Sequence, residues 1–266
     1  MTVMFRNLFS GKTSKIDCRM HACGHDAHTT MLLGAAKLSP YPLILKGTVR
    51  LLFQPAEEGA RGASKMINEG VLQDAKAIFA LHIDATTPTG AIASIPSPFT
   101  TAGCMFEAKI VGVGGHAASP HRNIDPVLAT SFAIFGTATD CAISYFCRRW
   151  DCMTPSYVKF GGTLRSLTTE GIRMNSKLIL PPYPTVVNDN DLHLHVERVG
   201  QLLLVPDNVN AAKKVMAGED FAFYQQWEQF TPHTPLLFFL DEEVLPIGAA
   251  LHTAVAELYL NEHEHD

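Results

Sequence analysis

The stretch GTVRLLFQPAEEGARGASKMINEGVLQDAKAIFALHI, residues 47–83, decides the fold class. Gly47 opens a β-rich apolar run over 48–53 that reads as a buried strand. The run stops at QPAEEG, and a helix is expected over roughly 60–69, closed by Gly70 as its C′ residue. AIFALHI (77–83) reads as a second short buried strand. Strand, helix, strand is the βαβ signature of an α/β sheet.

Outward from that unit, Asp26 is expected to cap a helix whose apolar residues Met31, Leu32, Ala35, Ala36 and Leu38 recur at helical spacing. From about Cys104 the pattern changes. FEAKIVGVGG alternates, IDPVLATSFAIF is helical and YVKFGGTLRS is a strand, together a small α+β insert. VVNDNDLHLHVERVGQLLL (186–204) reads as an amphipathic helix with Asn188 or Asp189 near its cap. LPIGAALHTAVAELYLNEH (245–263) reads as a helix with Pro246 in its first turn.

The 266 residues carry 21 Lys+Arg against 26 Asp+Glu, a formal net charge of −5, with no long block of one sign. That argues against a nucleic-acid or polybasic membrane surface. No apolar run approaches the roughly 18 residues of a spanning helix. The first twenty residues lack the apolar core of a secretory signal. Six cysteines without a CxxC pair make a disulfide framework the weaker reading.

The chemistry concentrates in MHACGHDAHTTMLL (20–33), where His21, Cys23, His25, Asp26 and His28 are potential ligands or proton carriers. Glu57 and Glu58 can serve one site only if their strand has already ended, and Pro55 and Gly59 suggest that it has. His82 closes the next strand, so three segments bring Cys, His, Glu and His to one sheet edge, where open α/β sheets bind ligands. Singly, each residue has a bland reading: a solvated turn, a hydrogen-bonded histidine, a core cysteine. Together they favour a metal. Thiolate and imidazole suit zinc, carboxylates also admit manganese, and one glutamate can ligate while the other acts as base.

These motifs resemble the plant IAA-amino acid hydrolases, auxin-conjugate amidohydrolases of the metallo-aminoacylase/carboxypeptidase superfamily. The resemblance is carried by MHACGHDAHTTMLLGAAKL, LKGTVRLLFQPAEEGARGASKMINEGVL, AIFALHI, GGHAASPH, GGTLRSLTTEG, VMAGEDFAFYQQ and LDEEVLPIGAALHTAVAELYLNEH. It implies a catalytic α/β sheet domain (1–102 and 185–266) with an inserted, incomplete α+β lid domain (103–184). It implies two divalent ions, Mn²⁺ first and Zn²⁺ second, held by Cys23, His25, Glu58, His82 and His233. Glu57 would be the general base. His116 would stabilise the tetrahedral intermediate, reaching another subunit's site in a homodimer, and Arg165 would clamp a substrate carboxylate, its alternative reading being a surface strand arginine. The implied substrate is a small N-acyl amino acid such as an indole-3-acetyl conjugate, with neither nucleic acid nor membrane as partner.

The sequence also departs from that family. No acidic strand motif of the A-D-M-D-A-L-P kind precedes the His cluster. FGTATDCAISYFCRRWDCMTPS (135–156) has neither helical nor strand periodicity and reads as a frame slip or misjoined exon. A lid helix and strand are missing after GIRMNSKLILPPYP, and WEQFTP shortens the approach to His233. His252 is a nearby histidine expected to pack inside its helix. A truncated scaffold implies weak or absent catalysis, leaving a remnant that at most binds metal or a partner. The family also implies the endoplasmic reticulum lumen, although the tail NEHEHD stops short of a retention signal.

Overall fold

The structure, a computed structural model, describes residues 23–38, 46–84, 86–137, 141–146, 153–168, 172, 182–226, 236–239 and 244–263. The first part of the chain supplies α1 (His25–Leu38), a single turn α2 (Glu57–Ala60), α3 (Gly62–Asn68), β1 (Ala80–Ile83), β2 (Ile92–Ser94) and β3 (Ser97–Pro98). The middle supplies β4 (Ala102–Val111), β5 (Gly115–His116), α4 (Pro126–Thr137), β6 (Cys141–Phe146), β7 (Met153–Thr154) and β8 (Tyr157–Ser166). The last part supplies β9 (Val187–Asn188), α5 (Asn190–Leu203), β10 (Val209–Ala211), α6 (Ala222–Gln225), β11 (Leu236–Phe239) and α7 (Val244–Glu262).

The mixed α/β class holds. One sheet runs β1-β11-β2-β10, with β1 parallel to β11 and β2 parallel to β10. Its two faces are both buried, as a largely parallel sheet requires. On one face Leu81 and Ile92 pack with Met31 of α1, Val196 and Val199 of α5, and Leu251 of α7. On the other, Ala63 and Ile67 of α3 pack with Phe99, Phe221 and Tyr224. Helices α1 and α7 approach closely enough that a Cβ on Gly248 would lie 2.1 Å from the Met31 sulfur, so this crossing tolerates no side chain there. Asp189 caps α5, its Oδ1 accepting from the Asp191 and Leu192 amides at 2.9 and 3.0 Å. Gly70 ends α3 in the left-handed region (φ 80°), as its C′ position predicts.

A separate antiparallel sheet, β4-β8-β6, carries α4 against it. Val158 and Phe160 are its buried residues on β8, and the alternating burial along β4 follows the alternation in FEAKIV. The two sheets are joined by a ribbon. Ser97 and Pro98 pair antiparallel with Asn188 and Val187, the Phe99 amide donates to the Val186 carbonyl at 2.9 Å, and Gly103 bridges Tyr183. Phe99, Thr101, Ala102 and Val186 in this ribbon are fully buried.

Three expectations are corrected. The segment 135–156 is not without regular structure: Cys141–Phe146 forms strand β6, paired with β8, and Met153–Thr154 pairs with β5. Edge pairing imposes a strand that periodicity does not announce. Residues 48–53 are not a strand. They line a cleft of about 1190 Å³ together with Ala77–His82, and no described residue forms a ladder with them. Without a neighbour to complete its ladder, a strand-like run stays unpaired. Arg50 still ties this run to the loop after α3, donating to the Val71 carbonyl at 2.7 Å. Finally, α1 begins at His25, so Asp26 lies within its first turn rather than at its cap.

Candidate metal centre

The start of α1 fixes the first two candidate donors. The Gly24 carbonyl accepts from the Ala27 and His28 amides at 2.9 and 3.3 Å and so begins the helical ladder. A side chain at Gly24 would be strained on two counts: φ is +65°, and a Cβ would sit 1.9 Å from Ile83 Cδ1, which would have to shift. That approach presses the helix start against the end of β1, bringing Cys23 and His25 toward His82.

The glutamate pair lies on a tight turn. Ala56 (φ 54°) and Arg61 (φ 56°) are left-handed, and Gly59 has φ 80°. The backbone has left the extended state before Glu57, so both carboxylates serve one region, as Pro55 and Gly59 predict. One donor atom each from Cys23, His25 and Glu58 lie within 4.8 Å of one another, and the same holds for His25, His28 and His82. His25 is common to both groups. Glu57 Oε2 stands 3.8 Å from His25 Nε2 and joins a third group with Glu219 and Asp220.

Hydrogen bonds fix the imidazoles. His82 Nδ1 is 2.6 Å from the Ile83 carbonyl, which can only accept, so the proton sits on Nδ1 and the lone pair on Nε2. That is the orientation usual for a ligating histidine. His28 Nε2 accepts from the Ile83 amide at 3.0 Å. Both polar groups of Ile83 are therefore held by imidazoles, and His28 ties α1 to β1. Burial first, then the neighbouring His82 and His25, pushes His28 down to about 3, so it stays neutral. Burial likewise lowers His82. His252 packs within α7 beside the cleft and is pushed down to about 4 by burial.

The acids are driven the other way. Burial, then Asp220 and Glu58, raises Glu57 to about 7. Cys23 is exposed as a residue, yet partial desolvation and then its hydrogen bond to Glu58 push the thiol up to about 11. Burial, then Glu57, raises Glu219 to about 8. Carboxylates crowded in low dielectric disfavour their own ionisation, and a cation relieves this. Thiol, imidazole and carboxylate donors under that charge stress fit divalent ions of the zinc and manganese type.

Glu219 and Asp220 are absent from the sequence expectations. Asp220 is fully buried and accepts from the Ala63 amide at 3.0 Å and from Gln54 Nε2 at 2.5 Å. It thereby caps α3 from outside and pins both ends of the glutamate turn. The acidic pair in AGEDF, set directly before an aromatic run, is the signal that could have found them. One consequence is measurable. Glu219 carries no penalty below its ordinary value near 4.5 and the full penalty above about 8, so it destabilises the metal-free fold as pH rises. The melting temperature of Glu219→Gln minus that of the parent, without metal, is expected to increase from pH 5 to pH 8.5. A difference that stays flat would contradict the assignment.

The remaining expected residues lie elsewhere. His116 is exposed on β5 and belongs to none of the three donor groups among the described residues. Arg165, on β8, donates from Nη1 to the Met216 carbonyl at 2.9 Å, near the AGED segment. His233 lies outside the described residues.

Donors of this kind at the carboxyl end of a sheet strand, with an acid beside them, suit a metal-dependent hydrolase. The chain belongs to peptidase family M20/M25/M40, whose model matches residues 8–258. It is 36% identical to the IAA-amino acid hydrolase ILR1-like 4 of Arabidopsis thaliana, covering 94% of this chain and 68% of that protein. It is 32% identical to the N-acetylcysteine deacetylase of Bacillus subtilis, covering 93% of this chain and 76% of that protein. Among solved structures, the YXEP protein of Bacillus subtilis, a dinuclear metal-binding peptidase from the M20 family, superimposes with a TM-score of 0.72 at 28% identity. That match covers 93% of this chain and 75% of the other. No helix among the described residues is long and apolar enough to cross a membrane.

Proposed function

We propose that the chain hydrolyses the amide bond of N-acyl amino acids, indole-3-acetyl conjugates foremost, with two divalent ions, Mn²⁺ ahead of Zn²⁺. The observation that carries this reading is the Cys23–His25–Glu58 donor group with Glu57 standing 3.8 Å from His25 and outside that group. The names of the plant hydrolases and of the N-acetylcysteine deacetylase support the substrate class, and the dinuclear neighbour supports two ions. Cys23, His25, Glu58 and His82 would hold the ions, with His233 as a fifth ligand. When bound, such ions polarise an amide carbonyl and acidify water.

Glu57 would take a proton from the attacking water and deliver it to the leaving amine nitrogen. Its carboxylate stands 3.8 Å from His25 Nε2, beside the donors, where it can take up the water proton and hand it on. Arg165, its guanidinium steadied by the Met216 carbonyl, would clamp the carboxylate of the amino acid. The exposed His116 would serve the site of a second copy, which makes a homodimer part of the reading. The lid is assigned to 103–184, and the endoplasmic reticulum lumen is the compartment proposed from the resemblance of the sequence motifs.

The test is release of free amino acid from indole-3-acetyl-alanine, N-acetylcysteine and an unrelated dipeptide, with Mn²⁺ supplied. Faster turnover of the indole conjugate is expected. Equal turnover of all three would point to a general aminoacylase, and no release from any would defeat the reading. One observation favours a second reading, a weakly active or inactive remnant. The cleft between 48–54 and Ala77–His82 leaves the strand-like run before Glu57 without a ladder, and metal sites need their donors held closely. Turnover equal to that of a full-length plant relative would refute it.

A further inference from the structure

The peptide group between Glu57 and Glu58 is held by a side chain from the ribbon that joins the two sheets. Tyr183 Oη donates to the Glu57 carbonyl at 3.2 Å and accepts from the Gly59 amide at 3.1 Å. The same residue exchanges two backbone hydrogen bonds with Gly103, at 3.0 and 2.6 Å, where β4 enters the lid sheet. Its ring lies 5.6 Å from Phe223, and the Arg61 guanidinium sits 5.7 Å from the ring centroid. The turn it grips contains three residues at positive φ, a conformation that persists only where surroundings fix it. Asp220 fixes the two ends of that turn, at Gln54 and Ala63. Tyr183 fixes its middle.

We propose that Tyr183 is a positioning residue that couples the orientation of the β4-β8-β6 sheet to the Glu57–Glu58 peptide, and so to the base and its neighbouring ligand at once. The proposal rests on the roles assigned above to those glutamates. A shift of the ribbon at Gly103 and Tyr183 moves the phenol, and the phenol moves with it the carbonyl that links the two acids. The orientation of the antiparallel sheet is thereby read at the Glu57–Glu58 turn.

The test is amide hydrogen exchange resolved at Gly59, on metal-free protein, in the parent and in Tyr183→Phe, which keeps the ring against Phe223 and Arg61. The parent Gly59 amide is expected to exchange slowly. The variant is expected to lose that protection by about tenfold, the scale of one hydrogen bond, while the Ala63 amide held by Asp220 is unchanged. With Mn²⁺ and an N-acyl amino acid, kcat is expected to fall with little change in KM. Tyr183→His, whose shorter ring leaves no polar atom at the position of the hydroxyl, is the second variant. Fast exchange at Gly59 in the parent, or parental exchange in either variant, would overturn the proposal. Because exchange requires no turnover, a protein that hydrolyses nothing yet shows the Gly59 difference would sink the functional reading and leave Tyr183 as the clamp of this turn without a catalytic role.

Discussion

Glu57→Gln is expected to reduce amide hydrolysis by roughly 10²–10⁴-fold while leaving ion binding in place. The substitution keeps the shape of the side chain and removes its capacity to accept and return a proton. Glu57 is outside the Cys23–His25–Glu58 donor group, and glutamine keeps an oxygen donor beside Glu219 and Asp220, so the number of ions retained per chain is expected to match the parent. It also removes one of three crowded acids, so the melting temperature of the metal-free variant should not fall. Turnover within a few-fold of the parent, or loss of the ions, would remove Glu57 from the role of base.

Glu58→Gln is the second large effect, and its signature is the reverse. Here the ions go first. Glu58 is the single carboxylate in the donor group with Cys23 and His25, and it accepts a hydrogen bond from the Cys23 thiol. Replacing a ligand is expected to weaken ion binding by at least the 10–100-fold that loss of an outer-sphere partner typically costs. Activity is expected to collapse at limiting Mn²⁺ and to recover in part at high Mn²⁺, which Glu57→Gln should not do. Because the thiol is pushed up to about 11, ion uptake must displace its proton and is expected to strengthen as pH rises. Ion binding that is indifferent to Glu58, or to pH between 6 and 9, would place the ions elsewhere.

Much of this site was legible in the residues because its donors are local and chemically conspicuous. Cys23 and His25 sit one residue apart at a helix start, and Glu57 and Glu58 follow a proline and precede a glycine that the turn uses at φ 80°. His82 closes a strand, and its position at the end of β1 follows from the short apolar run before it. What the sequence hid is non-local. Asp220 caps α3 and grips Gln54 from more than 150 residues away, and no spacing rule connects AGED to QPAEEG. Tyr183 reads as the end of a proline-rich loop, and only the ribbon places its phenol at Glu57.

The strand expected at 48–53 failed for the same reason in reverse. Its composition is right for a strand, but a ladder needs a neighbour, and composition does not supply one. Conversely, Cys141–Phe146 has little pattern of its own and becomes a strand because β8 offers it an edge. The helices were easier. α5 and α7 announce themselves through Asp189 and Pro246, whose roles at a helix start are set by their own chemistry.

The central claim is that Cys23, His25, Glu58 and His82 hold divalent ions in one place. Its most direct test is elemental analysis of the parent protein after equilibrium dialysis against Mn²⁺ or Zn²⁺ at pH 8. Close to two ions per chain are expected, with Cys23→Ala retaining fewer. A parent protein that retains none, or a Cys23→Ala variant that retains as many as the parent, would contradict it.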